Sequence, residues 1–239
     1  MGEDLSGKVA VVTGAGSGIG RAVAEGFRDA GMKLVVTGRR AHKLDGFGDG
    51  DEIAKVAGDI TDPALPGHLL EVALDRFARC DFAVNNAGYM TSGPIADIDI
   101  DKVCHMVRVN VEAAYRVAHV FVRHFSAVGE GHLINTSSVL ATKVRATAGA
   151  YCGTKYAIKA LSEALRMELG TTKVKVSCVE PGLVLTELHE DFEVHPKDQL
   201  GIDEPLRPAD VARAVMFQVS QPDHVLIPRL MILPNGHEI

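Results

Sequence analysis

The chain has 239 residues, with 25 Lys and Arg against 31 Asp and Glu, four Cys and no Trp. Hydrophobic residues make up 46% and charged residues 23%, an ordinary globular composition that excludes disorder and collagen-like repeats. A net charge of −6 with no Lys/Arg cluster argues against nucleic acid as a partner, and no apolar run approaches the ~20 residues of a membrane span. The opening residues MGEDLSGKV carry two acids and no signal-type apolar core, so a cytoplasmic location is expected. Cys80, Cys104, Cys152 and Cys178 form no CxxC pair, and the His residues show no HxxxH or HExxH spacing. Neither a disulfide framework nor a metal site is expected. One α/β domain over residues 1–239 is large enough to bury roughly 70–75% of its unfolded surface without such staples.

Short apolar runs alternate with longer helical stretches. The runs predict strands at 9–13, 33–37, 53–57, 82–85, 132–137, 175–180 and 225–232. Helices are predicted at 19–30, 63–79, 100–128, 151–169 and 208–221. This alternation predicts a doubly wound parallel sheet of about seven strands with helices on both faces.

Between the first strand and first helix stands Thr13-Gly14-Ala15-Gly16-Ser17-Gly18-Ile19-Gly20. Glycines bring backbone close to a phosphate, and the following helix N-terminus offers free N–H groups to a pyrophosphate. Gly14, Ser17, Gly18, Ile19 and Gly20 are therefore candidate cofactor-binding residues. The second strand ends in Thr37-Gly38-Arg39-Arg40. An acid there would accept from a ribose 2′-OH and favour NAD; Gly38 removes it, and Arg39 suits a 2′-phosphate. NADP(H) is favoured, with NAD(H) possible if both arginines are solvated surface charges. After the third strand, Asp59 either accepts from an adenine amino group or caps the turn before Thr61, and Ile60 is grouped with it. The fourth strand ends in Asn85-Asn86-Ala87-Gly88, small residues beside amide side chains able to tie strands together.

Further along, Asn110 sits within a predicted helix that it suits poorly. Ser138 follows the fifth strand. Tyr151 and Lys155 are one helical turn apart and share a face. An ammonium beside a phenol should lower the Tyr pKa from about 10, giving an acid or base for neutral pH. Pro181-Gly182-Leu183-Val184-Leu185-Thr186 follows the sixth strand. Residues 185–206 form an irregular, charged stretch holding His189, His195, Pro196, Gly201 and Pro205, read as a substrate flap.

These motifs, in this order, resemble the short-chain dehydrogenase/reductase family, from Thr13 to the last strand. The resemblance implies a Rossmann fold and an oxidoreductase acting on a ketone or aldehyde, or on a secondary alcohol. It implies that Tyr151 exchanges a proton with the substrate oxygen and Ser138 hydrogen-bonds that oxygen. Lys155 would lower the Tyr pKa and hold the nicotinamide ribose. Asn110 would open its helix and hold a water linking Lys155 to solvent. Val184 and Thr186 would bind the nicotinamide carboxamide after the turn at Pro181 and Gly182, and Asn86 and Ala87 would lie along the ribose and adenine side; Gly88, Pro181 and Gly182 are grouped with them as cofactor-binding. Ser17 departs from NADP-preferring members that carry a basic residue there, and Cys152 reads as a packing residue.

Tyr89, Met90, Leu140, Val144, Ala148, Leu183, Leu188 and Phe192 are pocket candidates, and their apolar character favours a substrate with hydrophobic substituents. Arg145 or His189 is a candidate for a carboxylate, or else a surface charge. The helices carrying Val117, Val120, Phe121, Ala157, Ile158, Leu161 and Leu165 are implied to pair subunits into a homotetramer or homodimer. Alternatives are an NAD-dependent alcohol or hydroxy-acid dehydrogenase, an epimerase or dehydratase on the same fold, and a non-catalytic NADP(H)-sensing protein.

Overall fold

The computed structural model describes residues 3–190, 192, 194 and 196–237. The elements are β1 (Val9–Thr13), α1 (Gly18–Asp29), β2 (Lys33–Gly38), α2 (Ala41–Asp45), β3 (Ile53–Ala57), α3 (Leu65–Phe77) and β4 (Phe82–Asn85). They continue with α4 (Ile100–Val107), α5 (Ala114–Val128), β5 (Glu130–Thr136), α6 (Gly149–Glu168), β6 (Lys173–Pro181), α7 (Pro196–Leu200), α8 (Pro208–Val219) and β7 (Arg229–Ile232). The strands form one sheet in the order β3-β2-β1-β4-β5-β6-β7, and every pairing is parallel. Among the described residues no helix is long and apolar enough to cross a membrane.

The apolar strands are buried on both faces because the pleat sends alternate side chains to opposite layers. In β1, Ala10 and Val12 join Phe27, Val211 and Val215 under α1 and α8. Val9 and Val11 join Leu69, Val117, Phe121 and Phe125 under α3 and α5. Gly26 on α1 faces Met216 on α8 with room for a Cβ at ordinary contact distance, 3.7 Å from Met216 Cγ. Asp99 starts α4 by accepting from Asp101 N at 2.8 Å and Lys102 N at 3.3 Å. Gly129, at φ 90°, ends α5 in a left-handed turn.

Two predicted elements differ from the observed ones. Residues 100–128 are not one regular helix: a π-helical turn, Arg108–Ala113, separates α4 from α5 and contains Asn110. The last strand starts at Arg229, not residue 225, because Val225 N closes a turn onto Pro222 O and pairing begins only at Pro228 O, which accepts from Cys178 N. This edge strand is held by Arg229, whose Nε and Nη2 donate to Glu180 Oε1 and Oε2 at 3.0 and 2.9 Å. The short helices α2 and α7 fall below the length that periodicity reveals.

Phe121 is fully buried between α5 and the sheet. Phe121→Ala is expected to lower unfolding free energy by about 3–5 kcal/mol, read from the urea midpoint.

Candidate active site

A parallel sheet delivers every strand's C-terminal end to one edge. Strand order reverses between β1 and β4, and a cleft of about 900 Å³ opens there. The turn from β1 into α1 floors its outer end. Gly14 has φ +67°, and a Cβ on it would stand 2.9 Å from Ala87 Cα. Gly20 lies behind this floor rather than in it: its Cβ would meet Gly14 O at 2.4 Å, so its small size serves packing. Ser17, Gly18, Ile19, Gly38 and Arg39 complete this end. Arg40 Nη2 donates to Ser17 Oγ at 3.3 Å, so a guanidinium does stand at that position.

Thr13, which sequence reasoning passed over, joins β1 to β4. Its hydroxyl donates to Val84 O and accepts from Asn86 N and Ala87 N at 2.9 and 3.0 Å. Asn86 Nδ2 donates to Thr13 O, and Asn86 Oδ1 accepts from Thr136 Oγ1. Asn85 Nδ2 donates to Asn135 Oδ1 across the β4–β5 pair. The amides do tie strands together, leaving Ala87 and Gly88 along the cleft wall. Asp59 Oδ1 accepts from Thr61 N at 2.9 Å and Thr61 Oγ1 at 2.8 Å, which is the turn-capping alternative. The Thr61 backbone bond holds its carboxyl below the usual range, and Asp59 and Ile60 both line the cleft.

At the inner end stand Ser138, Tyr151 and Lys155. Ser138 caps the 3₁₀ turn Val139–Ala141 by accepting from Leu140 N. Lys155 Nζ lies 5.6 Å from the Tyr151 ring centre and donates to Thr136 O at 3.1 Å. Asn110 is buried behind the cleft rather than lining it. Its Oδ1 accepts from Tyr89 N at 2.8 Å, and its Nδ2 donates to Tyr89 O and to Thr154 Oγ1. Thr154 Oγ1 donates in turn to Tyr151 O at 2.7 Å. The opened helix thus clamps the 89 segment to the first turn of α6.

Residues 151–155 also carry a correction. The expected lowering of the Tyr pKa is not found. Burial pushes the Tyr151 phenol up to about 12, only partly opposed by the Ser138 hydroxyl. Burial likewise pulls the Lys155 ammonium down to about 8. Desolvation disfavours both charged forms and is the largest cause of each shift.

Pro181, Gly182, Leu183, Val184 and Thr186 form the wall opposite Ala87. The segment 185–206 leaves and returns at a narrow base: Leu185 N donates to Leu206 O, and Leu206 N to Leu183 O. It contains the 3₁₀ turn Glu187–His189 and α7. Its residues Asp191, Glu193 and His195 lie outside the described residues. Tyr89, Met90, Leu140, Val144, Leu183 and Leu188 line the inner cleft. Ala148 and Phe192 do not; Ala148 is buried, and Phe192 packs edge-on against His189, with ring centres 5.6 Å apart. Arg145 and His189 both line the cleft, joined by His237 from the C-terminal tail, which no sequence signal marked.

Residues 8–196 match the short chain dehydrogenase family. The chain belongs to that family. A relative, an uncharacterized oxidoreductase of Staphylococcus aureus (strain N315), is 33% identical over 233 residues, covering 96% of this chain and 98% of the relative. A serine dehydrogenase solved with NADP+ superposes on this short-chain dehydrogenase with a TM-score of 0.90 at 27% identity, covering 97% and 96% of the two chains. A 3-ketoacyl-(acyl-carrier-protein) reductase from Brucella melitensis, solved with NADH, gives 0.88 at 29% identity, covering 98% and 100%.

A lowered Lys pKa means the folded state bears the full desolvation penalty below pH 8 and loses it as pH rises toward the unfolded value, about 10.4. Lys155→Met is therefore expected to stabilise the ligand-free protein at pH 7. That gain should shrink between pH 8 and about 10, measured as the shift in urea midpoint.

Proposed function

We propose that this short-chain dehydrogenase is an NADP(H)-dependent oxidoreductase interconverting a ketone or aldehyde with the corresponding alcohol. The observation that carries this reading is the gathering of Ser138, Tyr151 and Lys155 at one end of a cleft whose other end is the glycine turn and Arg39. The residues fit a dinucleotide. Gly14 lets the turn pass directly against Ala87, where a Cβ would collide, and the N-terminus of α1 opens from that turn with free N–H groups for a pyrophosphate. Arg39 supports NADP(H): no acid replaces Gly38, and Arg39 makes no hydrogen bond or ion pair among the described residues. Both NADP+ and NADH occur in the structural neighbours named above.

A bound nicotinamide supplies or accepts hydride at the substrate carbon. The chain's own residues handle the proton. With its pKa near 12, Tyr151 stays a phenol at neutral pH and is ready to donate to a carbonyl oxygen. Ser138 hydrogen-bonds the same oxygen and orients it. Lys155 stabilises the phenolate that remains, and its cleft-facing ammonium holds ribose hydroxyls. In alcohol oxidation the same groups act in reverse. Asn110 fixes the first turn of α6 and thereby the position of Tyr151. All four groups are retained, which disfavours a sensing role without chemistry.

Val117, Phe121 and Ile158 serve the core, whereas Val120, Leu161 and Leu165 are half-buried beside exposed Tyr115. We assign the latter surface of α5 and α6 to subunit pairing.

A second reading narrows the substrate. The inner cleft has an apolar wall, Tyr89, Met90, Leu140 and Leu183, but Arg145 also faces it without an ion-pair partner among the described residues. Burial, and then Arg145, lower the pKa of His237, whose Nδ1 is buried without a hydrogen-bond partner. Such a corner favours a hydroxy or oxo acid over a neutral alcohol, in keeping with the neighbour named as a serine dehydrogenase.

Tyr151→Phe is expected to retain NADPH binding and lose at least ~10²-fold in kcat; full activity would overturn the assignment. Fluorescence titration should show NADPH binding at least ~10-fold tighter than NADH, with the preference reduced in Arg39→Ala. Arg145→Ala should raise KM for a 3-hydroxy acid about 10-fold or more while sparing a neutral secondary alcohol.

A further inference from the structure

Three basic side chains, Arg39, Arg40 and Lys43, rise from the end of β2 and the start of α2. Two of them are already engaged. Glu187, the first residue of the flap's 3₁₀ turn, reaches across the cleft mouth to both. Its Oε1 accepts from Lys43 Nζ at 3.0 Å, and its Oε2 accepts from Arg40 Nη2. The same Arg40 nitrogen donates to Ser17 Oγ on the glycine turn. The Lys43 stem runs alongside Gly16, where a Cβ would lie 3.4 Å from Lys43 Cβ. Behind it, Arg21 Nη1 donates to Lys43 O at 3.2 Å. Thr186, next to Glu187, rests its methyl 3.1 Å from a Cβ built on Gly18. The Glu187 carboxylate is therefore seated over the turn that floors the outer cleft, and it lines that cleft together with Arg39, Arg40 and Ser17. The two cations hold the Glu187 carboxyl down at about 2, so it is ionised throughout the working range.

We propose that Glu187 is a specificity-determining residue, an internal counter-ion that competes with the cofactor's 2′-phosphate for Arg40 and Lys43. The inference rests on the dinucleotide reading given above. Before a phosphate gains these cations, they must exchange a carboxylate that is tethered to the flap. A phosphate on the adenosine ribose offers more acceptor oxygens and more charge than one carboxylate, so the exchange is favourable. It is also weakened by the whole of the competing interaction. Among the described residues Arg39 is the one of the three that makes no side-chain hydrogen bond or ion pair, though it acts electrostatically on Asp59, and it is open to a first contact with the phosphate. The chain thus keeps a phosphate site whose positive charge is partly offset by its own carboxylate, and the strength of that pairing sets how sharply NADP(H) is preferred over NAD(H).

The test is isothermal titration of wild type and Glu187→Gln with 2′,5′-ADP, NADP+ and NAD+ at one ionic strength. Glu187→Gln is expected to bind 2′,5′-ADP and NADP+ about 10-fold more tightly, and NAD+ within about 3-fold of wild type. The gain should vanish in an Arg40→Ala, Lys43→Ala background, since the competitor then has nothing to withhold. Unchanged or weaker binding of 2′,5′-ADP by Glu187→Gln overturns the proposal while leaving the dinucleotide function intact. So does an equal gain for NAD+, or a gain that persists without Arg40 and Lys43. Failure of wild type to bind either dinucleotide overturns both this proposal and the function on which it rests.

Discussion

Where the order of the sheet reverses, between β1 and β4, the backbone beyond the last ladder bond would be left with unsatisfied N–H groups. The Thr13 hydroxyl takes up two of them, on Asn86 and Ala87, and gives its own proton to Val84 O. Asn86 then returns a bond to Thr13 O and receives one from Thr136. Every wall of the cleft is referenced to this seam. It sets how closely Ala87 passes Gly14, and through Thr136 O it fixes the ammonium of Lys155. Unmade hydrogen bonds at such a place are expensive, which is why one short hydroxyl and two amides can dictate the geometry of so many strands.

The inner site is built against the preference of its own side chains. A phenol and an ammonium are buried together, and desolvation pushes each toward its neutral form. The surrounding groups tolerate this because they are anchored elsewhere. Asn110 directs both amide protons and its carbonyl oxygen to Tyr89 and Thr154, and Thr154 holds the carbonyl of Tyr151. The π-helical turn is what allows Asn110 to face inward from the middle of a long helix. Rigid positioning is thereby obtained largely from backbone-directed bonds, with the phenol and ammonium both facing the cleft.

The outer site is organised differently. Its side chains are partly exposed and paired with one another rather than with backbone. Glu187 meets Arg40 and Lys43, and Arg40 meets Ser17. Pairs of this kind contribute little to stability in water, of order 0–1 kcal/mol each. They are correspondingly easy to exchange for a ligand's charges. One cleft therefore combines a fixed end, where geometry serves proton transfer, with an exchangeable end, where charge serves recognition.

Much of this was legible in the residues alone. Apolar runs of strand length separated by helical periods led to the sheet, because burial on both faces removes polar residues from its strands. The glycine turn and Asn85 to Gly88 stood out at strand ends, and Ser138 and the Tyr151/Lys155 pair stood out through their spacing together with the family resemblance. Thr13, Thr154, Glu187 and His237 were not, since each is an ordinary residue whose partners lie far along the chain. The direction of the Tyr151 pKa was misjudged for the same reason: spacing reports a neighbouring charge, but desolvation depends on everything packed around it. The sequence by itself determined which side chains meet at the sheet edge, because a parallel topology carries all strand ends to one side. Only the tertiary structure decided which of them are dry and which are paired across the cleft, because burial and long-range ion pairs are properties of the packed whole.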